Sequence, residues 1–218
     1  TCDCNRSFSP QEIIEFPVVV LEITPTSTTT RRTQIKTIAE FHHYIKPIVN
    51  PILTPFCTNL TGITQEMVDN GKDFNTVLCL LEEFLSRTVG LSTLPPSRHS
   101  PPPFIFLTCG DWDLRTMFPT QMSLCGFHDF IPCYFHTWID IKRDFSSFYR
   151  CKRMGMARML QYLRLPLHGR HHSGIDDCRN IARIVKEMME VGMILLVDGG
   201  VGGRTSMYHL LQLLPNRQ

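Results

Sequence analysis

A mixed α/β sheet with helices on both faces is the fold class the sequence predicts. Two β-branched and aromatic runs come first and read as a hairpin, and later short apolar runs alternate with amphipathic stretches. Size agrees: 218 residues, 43% hydrophobic and 19% charged, suit one sizeable core and carry too little charge for a disordered chain.

The first run, residues 12–23, is rich in Val and Ile and reads as a strand near the sheet centre. Pro17 within it predicts a bulge or an unpaired N–H position. A Thr-rich turn over residues 25–30 leads to a second strand over 35–45, alternating through Phe41, His43 and Ile45. Thr64 is placed as the N-cap of a short helix, and residues 74–85 repeat apolar side chains at helical spacing. The proline-rich stretch 95–103 reads as a loop, and residues 104–108 as a buried strand. A helix is predicted over 113–124, broken or kinked by Pro119. Next come a short strand at 138–141, a short helix at 156–163, a long amphipathic helix at 175–191 and a last strand at 193–197. From residue 198 the run Gly199-Gly200-Val201-Gly202-Gly203 predicts a tail, 198–218, outside a core domain of residues 1–197.

Several classes are excluded. Formal net charge is only +2, so any basic surface must be local. The longest apolar run, around 193–197, is too short to span a bilayer, and no membrane partner is expected. The chain starts with neither Met nor a signal peptide and reads as part of a longer protein. Nine cysteines, an odd number without a Cys-x-x-Cys pair, read as reduced thiols of an intracellular protein, nuclear or cytoplasmic.

Three clusters are candidates for chemistry. Cys109-Gly110-Asp111-Trp112-Asp113-Leu114 follows the buried strand, at the sheet edge where α/β folds bind ligands. Gly169-Arg170-His171-His172-Ser173-Gly174-Ile175-Asp176-Asp177 leads into the long helix, with His172 and Asp177 able to face one centre. The third is the loop Leu60-Thr61-Gly62-Ile63. Each has a plain alternative: Asp111 or Asp113 as a helix cap, Asp176 and Asp177 as dipole partners, adjacent histidines in a surface loop, a simple turn. What favours chemistry is their combination with a basic field. Residues 142–170 hold eight Lys or Arg (142, 143, 150, 152, 153, 158, 164 and 170) against a single acid, Asp144. Carboxylates hold hard cations, cations neutralise phosphate, and a histidine serves as base near neutral pH, so phosphodiester hydrolysis is the natural reaction class. A Cys/His zinc protein is disfavoured because the ligand spacing is wrong.

With these stand two further blocks, Glu12-Ile13-Ile14-Glu15-Phe16-Pro17-Val18-Val19 and Phe56-Cys57-Thr58-Asn59-Leu60-Thr61-Gly62-Ile63, and the long-helix start continues as Cys178-Arg179-Asn180-Ile181-Ala182. In this order the four blocks resemble the DEDDh 3′-to-5′ exoribonucleases, in the branch of the histone-mRNA 3′ exonuclease. The resemblance covers about residues 1–197 and implies an RNase H-like fold, a five-stranded mixed sheet flanked by helices. It implies two Mg²⁺ or Mn²⁺ ions held by four acids, RNA 3′ ends as partner, and a histidine that deprotonates the attacking water. Carried over by motif, Asp113 and Asp177 resemble metal ligands and His172 the general base, while Asp111, Asp176 and His171 are neighbours of the matched positions. Trp112 resembles the residue that packs the terminal nucleotide, with a core tryptophan as the alternative. Leu60, Thr61 and Ile63 resemble the wedging loop, and Arg170 is placed with the substrate-binding residues. The family's first motif, Asp-x-Glu, sits on a strand ahead of the position of Thr1-Cys2, so most of a first strand and two ligands are expected to be missing here. The expectation is a chain inactive by itself, with a non-catalytic RNA- or protein-binding module as the alternative.

Overall fold

The computed structural model of the chain describes residues 10–25, 33–91, 103–127, 130–193 and 209–213. The loop at 95–102, the turn at 26–30 and the strand expected at 194–197 lie outside the described residues; Met193 itself is buried.

Strands β1 (Glu15–Pro25) and β2 (Thr33–Tyr44) form the expected antiparallel hairpin. The register shift falls between Val20 and Leu21, not at Pro17, which sits in the ladder opposite His42. Three helices follow: α1 (Pro55–Thr61), α2 (Gln65–Asp69) and α3 (Phe74–Val89). Thr64 caps α2 through Met67 N–H, as its hydroxyl predicts, and Asp73 caps α3 through Thr76 N–H. Strand β3 (Phe104–Thr108) is buried throughout. A π-helical turn, Asp113–Met117, then runs into α4 (Phe118–Leu124). Pro119 lies in the first turn of α4, where its missing N–H costs nothing, so the change of ladder precedes it. Strand β4 (Trp138–Asp140) and helices α5 (Ile141–Tyr149), α6 (Met156–Tyr162) and α7 (Gly174–Glu190) complete this part.

The sheet has five strands in the order β2-β1-β5-β3-β4. Its middle strand, β5 (His209–Leu213), runs antiparallel to β1 and parallel to β3. The expectation that residues 198–218 lie outside the core therefore fails for His209–Leu213. A glycine run precedes this strand in the sequence, but the backbone groups of β1 and β3 need a ladder partner between them.

Side-chain alternation divides the interior. Val18, Val20, Phe104 and Phe106 pack on one face against α3 and α4, with Phe16, Phe74, Phe118 and Phe135. Val19, Leu21, Ile105 and Leu107 pack on the other face against α5, α6 and α7, through Phe145, Met159, Ile181 and Val185. A smaller cluster of Ile14, Leu53, Cys57, Ile63 and Val68 seats α1 and α2. Glu12 fixes the approach to it, its buried carboxylate accepting from Ile48, Val49 and Asn50 N–H at 2.7–2.9 Å. Among the described residues no helix is long and apolar enough to cross a membrane.

Candidate functional site

The register brings the start of β1, the ends of β3 and β4 and the start of α7 to one edge of the sheet. Behind β3 the chain is pinned by its neighbour. Asp140 Oδ1, at the end of β4, accepts Gly110 N–H at 2.8 Å and also caps α5 through Lys142 N–H. That fixes the turn delivering Asp111-Trp112-Asp113. The wider π-turn buries Asp113 at 3% exposure, and no side chain caps this element. Its role as a cap is thereby excluded, and its Oδ2 is buried with no hydrogen-bond partner. Burial pushes its carboxyl well above the ordinary value. Asp111 turns away and pairs with Arg115 one helical turn on.

The second wall is the start of α7. Glu15, at the head of β1, accepts Gly174 N–H at 2.8 Å and Ile175 N–H at 3.1 Å, and meets His42 Nε2 at 2.8 Å. A carboxylate 159 residues upstream thus caps the helix that carries Asp177. Gly174 allows it, since a Cβ there would lie 2.6 Å from Glu15 Oε2. Asp177 is buried, its Oδ2 accepts His172 N–H at 3.1 Å, and its Oδ1 has no partner. Burial first, then the charges of Glu15 and Asp176 against the relief of the His172 bond, push its carboxyl up to about 7. His172 sits at φ +73, a left-handed backbone that turns its ring onto His171, centroids 3.9 Å apart. Burial lowers the pKa of both imidazoles, and His171 lowers that of His172 further, so both are neutral at pH 7.

Asp113, after β3, and Asp177, in the first turn of α7, lie at the same edge of the sheet, and burial together with the charges of Glu15, Asp177 and Asp113 raises the wholly buried Cys178 thiol. Two desolvated carboxylates, each with an oxygen lacking a partner, fit a bound cation, which supplies the charge burial withholds. Thiol chemistry does not fit, because burial pushes Cys109 up to about 12.

The expected substrate-binding residues divide. Trp112 is half-buried against the cluster of α3 and α4, so both of its readings have a basis. Leu60 and Thr61 are half-buried in the last turn of α1, which ends at Gly62 in the left-handed region at φ +80; the expected loop is a helix end. The Thr61 hydroxyl donates to Cys57 O and accepts Ile63 N–H, which holds this end in shape. Ile63 is 4% exposed in the small cluster, so it supports the helix end from beneath and offers a ligand little surface. Arg170 lies across Gly62 and donates to Asn59 O, tying this helix end to the His171-His172 loop. Of the eight basic residues in 142–170, Arg150, Lys152, Arg153, Arg158, Arg164 and Arg170 are exposed, whereas Arg143 pairs with Asp144. Glu15 and Asp140 are the positioning residues that sequence reasoning missed. Asp140, between a strand and a helix start, carried a local capping signal, whereas nothing local links Glu15 to residue 174.

One test of this loop is Gly169→Ala. Gly169 has φ +71, and a Cβ there would sit 2.4 Å from Asp176, whose Oδ2 accepts Arg170 N–H. The variant is expected to lose about 1–2 kcal/mol in thermal unfolding, because residues 170–172 must shift. An unchanged Tm would show that the loop does not depend on this close approach.

The fold and its edge of buried acids beside a histidine define the RNase H-like nuclease class. Residues 2–185 match the Exonuclease family, RNase_T, and the chain belongs to that family in its DEDDh branch of 3′-to-5′ exonucleases. It is 42% identical over 195 residues, 89% of this chain, to human ERI1 exoribonuclease 3. It is 30% identical over 190 residues, 85% of this chain and 64% of the relative, to the 3′-5′ exonuclease Snipper of Drosophila melanogaster. The chain spans about half (52%) of the human relative's length. Among solved structures, the nuclease domain of 3′hExo, a DEDDh family member bound to rAMP, superposes with a TM-score of 0.75 at 30% identity, covering 92% of each chain. A 3′-exonuclease recognising the histone mRNA stem-loop gives 0.72 at 28% identity, over 90% of this chain and 80% of that one. The family uses divalent metal ions.

Proposed function

We propose that this chain is the nuclease domain of a 3′-to-5′ exoribonuclease that releases nucleotides from RNA 3′ ends. The observation that carries the reading is that Asp113 and Asp177, both buried and each with an oxygen lacking a partner, stand at one sheet edge with His172 bonded to Asp177. Asp113 and Asp177 would hold Mg²⁺ or Mn²⁺, two ions in the complete site, which supply charge neutralisation at the phosphate and a more acidic water. His172 takes the proton of the attacking water; its lowered pKa keeps it unprotonated and ready at pH 7. Trp112 and the α1 end, with Leu60 and Thr61 held by Arg170, offer an apolar surface for the terminal base. The exposed basic residues of 150–170 lie along the approach to α7 and suit a phosphate backbone. RNA is favoured by the relatives, whose names are those of exoribonucleases. An intracellular site, nuclear or cytoplasmic, is the compartment proposed; that no disulfide joins the seven described cysteines to one another agrees with it.

A non-catalytic RNA- or protein-binding module is the second reading, and one observation favours it. The middle strand at the catalytic edge reads His209-Leu210-Leu211-Gln212-Leu213 and brings no acid. On this ground the 218-residue chain by itself is expected to trim RNA feebly or not at all.

A 5′-labelled single-stranded RNA incubated with the purified chain, with Mg²⁺ or with EDTA, tests both readings. A metal-dependent ladder of one-nucleotide steps, lost in Asp177→Ala, supports the nuclease and overturns the expected inactivity. With no ladder, a strand bearing Asp-x-Glu is added back: restored trimming supports a nuclease domain, and continued silence supports the binding module.

A further inference from the structure

His171 has no place in the proposed reaction, yet it stands next to the two residues that matter most there. One donor atom each from His171, His172 and Asp177 lies within 4.8 Å of the others. The two imidazoles are stacked 3.9 Å apart and 24° from parallel. The ligand atoms of a tetrahedral site with metal–nitrogen bonds of about 2.0–2.1 Å stand roughly 3.4 Å apart, so the three donor atoms need to close in by about 1.4 Å or less. Asp177 is 3% exposed and retains an Oδ1 without a partner, while its Oδ2 holds the His172 backbone. Both histidines are partly exposed, which leaves an entry path from solvent.

Two imidazoles and one carboxylate are a poor set for Mg²⁺, which demands six oxygens or waters in an octahedron. They are a good set for Zn²⁺, which takes three protein ligands of this kind and keeps a fourth position for water. We propose that His171, His172 and Asp177 form an inhibitory site for a dication of the zinc class. Bound there, the ion ties up the His172 nitrogen that would accept the proton of water and competes with the hard cation for Asp177. The inhibitory half of the proposal rests on the role of His172 given above; the binding half rests on geometry alone.

The test is a calorimetric titration of the full 218-residue chain with Zn²⁺, run beside His171→Gln, with Co²⁺ as a visible-absorption probe of tetrahedral ligation. The expected result is one zinc per chain, the intense Co²⁺ bands of a tetrahedral site, and an affinity at least about tenfold weaker in His171→Gln, since loss of even outer partners costs 10–100-fold. Thermal melting of His171→Gln at the wild-type temperature shows that its fold is intact. No zinc binding to the wild-type chain, or equal affinity in His171→Gln, overturns the site. Mg²⁺-dependent trimming, in the chain or in its complemented form, is expected to be blocked by Zn²⁺ in the wild type and to persist in His171→Gln. Zinc binding lost in His171→Gln without zinc inhibition would uphold the site and remove its inhibitory role. Zinc binding with no trimming under any condition would uphold the site and count against the nuclease.

Discussion

Asp177→Asn is expected to make the metal-free chain more stable at pH 8 while abolishing the Mg²⁺-dependent trimming of its strand-complemented form. Folding raises the Asp177 carboxyl from 3.8 to about 7, chiefly through burial. Between those values the folded state keeps a proton that the unfolded chain has released, so stability falls as pH rises from about 4 to about 7 and stays low above it. A shift of about three units sets a ceiling of roughly 4 kcal/mol, and relaxation around a real carboxylate brings the expected gain to about 2 kcal/mol. For a domain of this size that is about 4–8 °C in Tm. The lowered pKa values of His171 and His172 act in the opposite sense, removing stability as pH falls below 6.5. The difference between wild type and Asp177→Asn cancels them. Tm measured from pH 5 to 8 without metal should show the gap opening with pH, and Mg²⁺ should raise Tm only in the wild type. A gap that is flat with pH would mean that Asp177 is not held in a desolvated site.

Glu15→Ala is expected to be among the most damaging single changes in the chain, although Glu15 bears no proposed chemical step. Its removal leaves Gly174 and Ile175 N–H buried without an acceptor and takes the charged cap from α7. At about 1–3 kcal/mol for each unsatisfied donor, the loss is about 3–5 kcal/mol, a fall of roughly 10 °C or more in Tm. Because Asp177 follows within one turn and holds the His172 backbone, the remaining folded fraction should also have a lower kcat when complemented with the Asp-x-Glu strand. Glu15→Gln retains a carbonyl acceptor and should recover about half of the stability. If both variants melt like the wild type, water serves these donors and the capping argument is wrong.

Much of the fold was legible because local signals and tertiary demands agree. Apolar spacing from Phe74 and from Ile175 gave helices whose buried stripes are those observed, and Phe104–Thr108 was apolar enough to be a strand covered on both faces. Helices α1 and α5 were not legible. Pro55 and Thr61 bracket a stretch whose apolar contact is the small cluster alone, and α5 is short, basic and buries only Ile141 and Phe145. The middle strand was misread because His209–Leu213 lies beyond a glycine run, and its place depends on edges supplied by β1 and β3. At the site, Asp113, His172 and Asp177 carried their own pattern. The roles of Glu15, Asp140 and Ile63 depend on who meets whom across the fold, which spacing does not encode.

The position of β5 bears on how this chain folds as it is made. Among the described residues, without His209–Leu213 the hairpin of β1 and β2 and the parallel pair of β3 and β4 share no ladder. The residues that join them are synthesised after every other described element. Among the described residues, the two half-sheets therefore gain their common ladder only once His209–Leu213 has been made. Any edge of β1 or β3 left uncovered during that interval is open to pairing with another extended chain, which is when aggregation competes most strongly with folding.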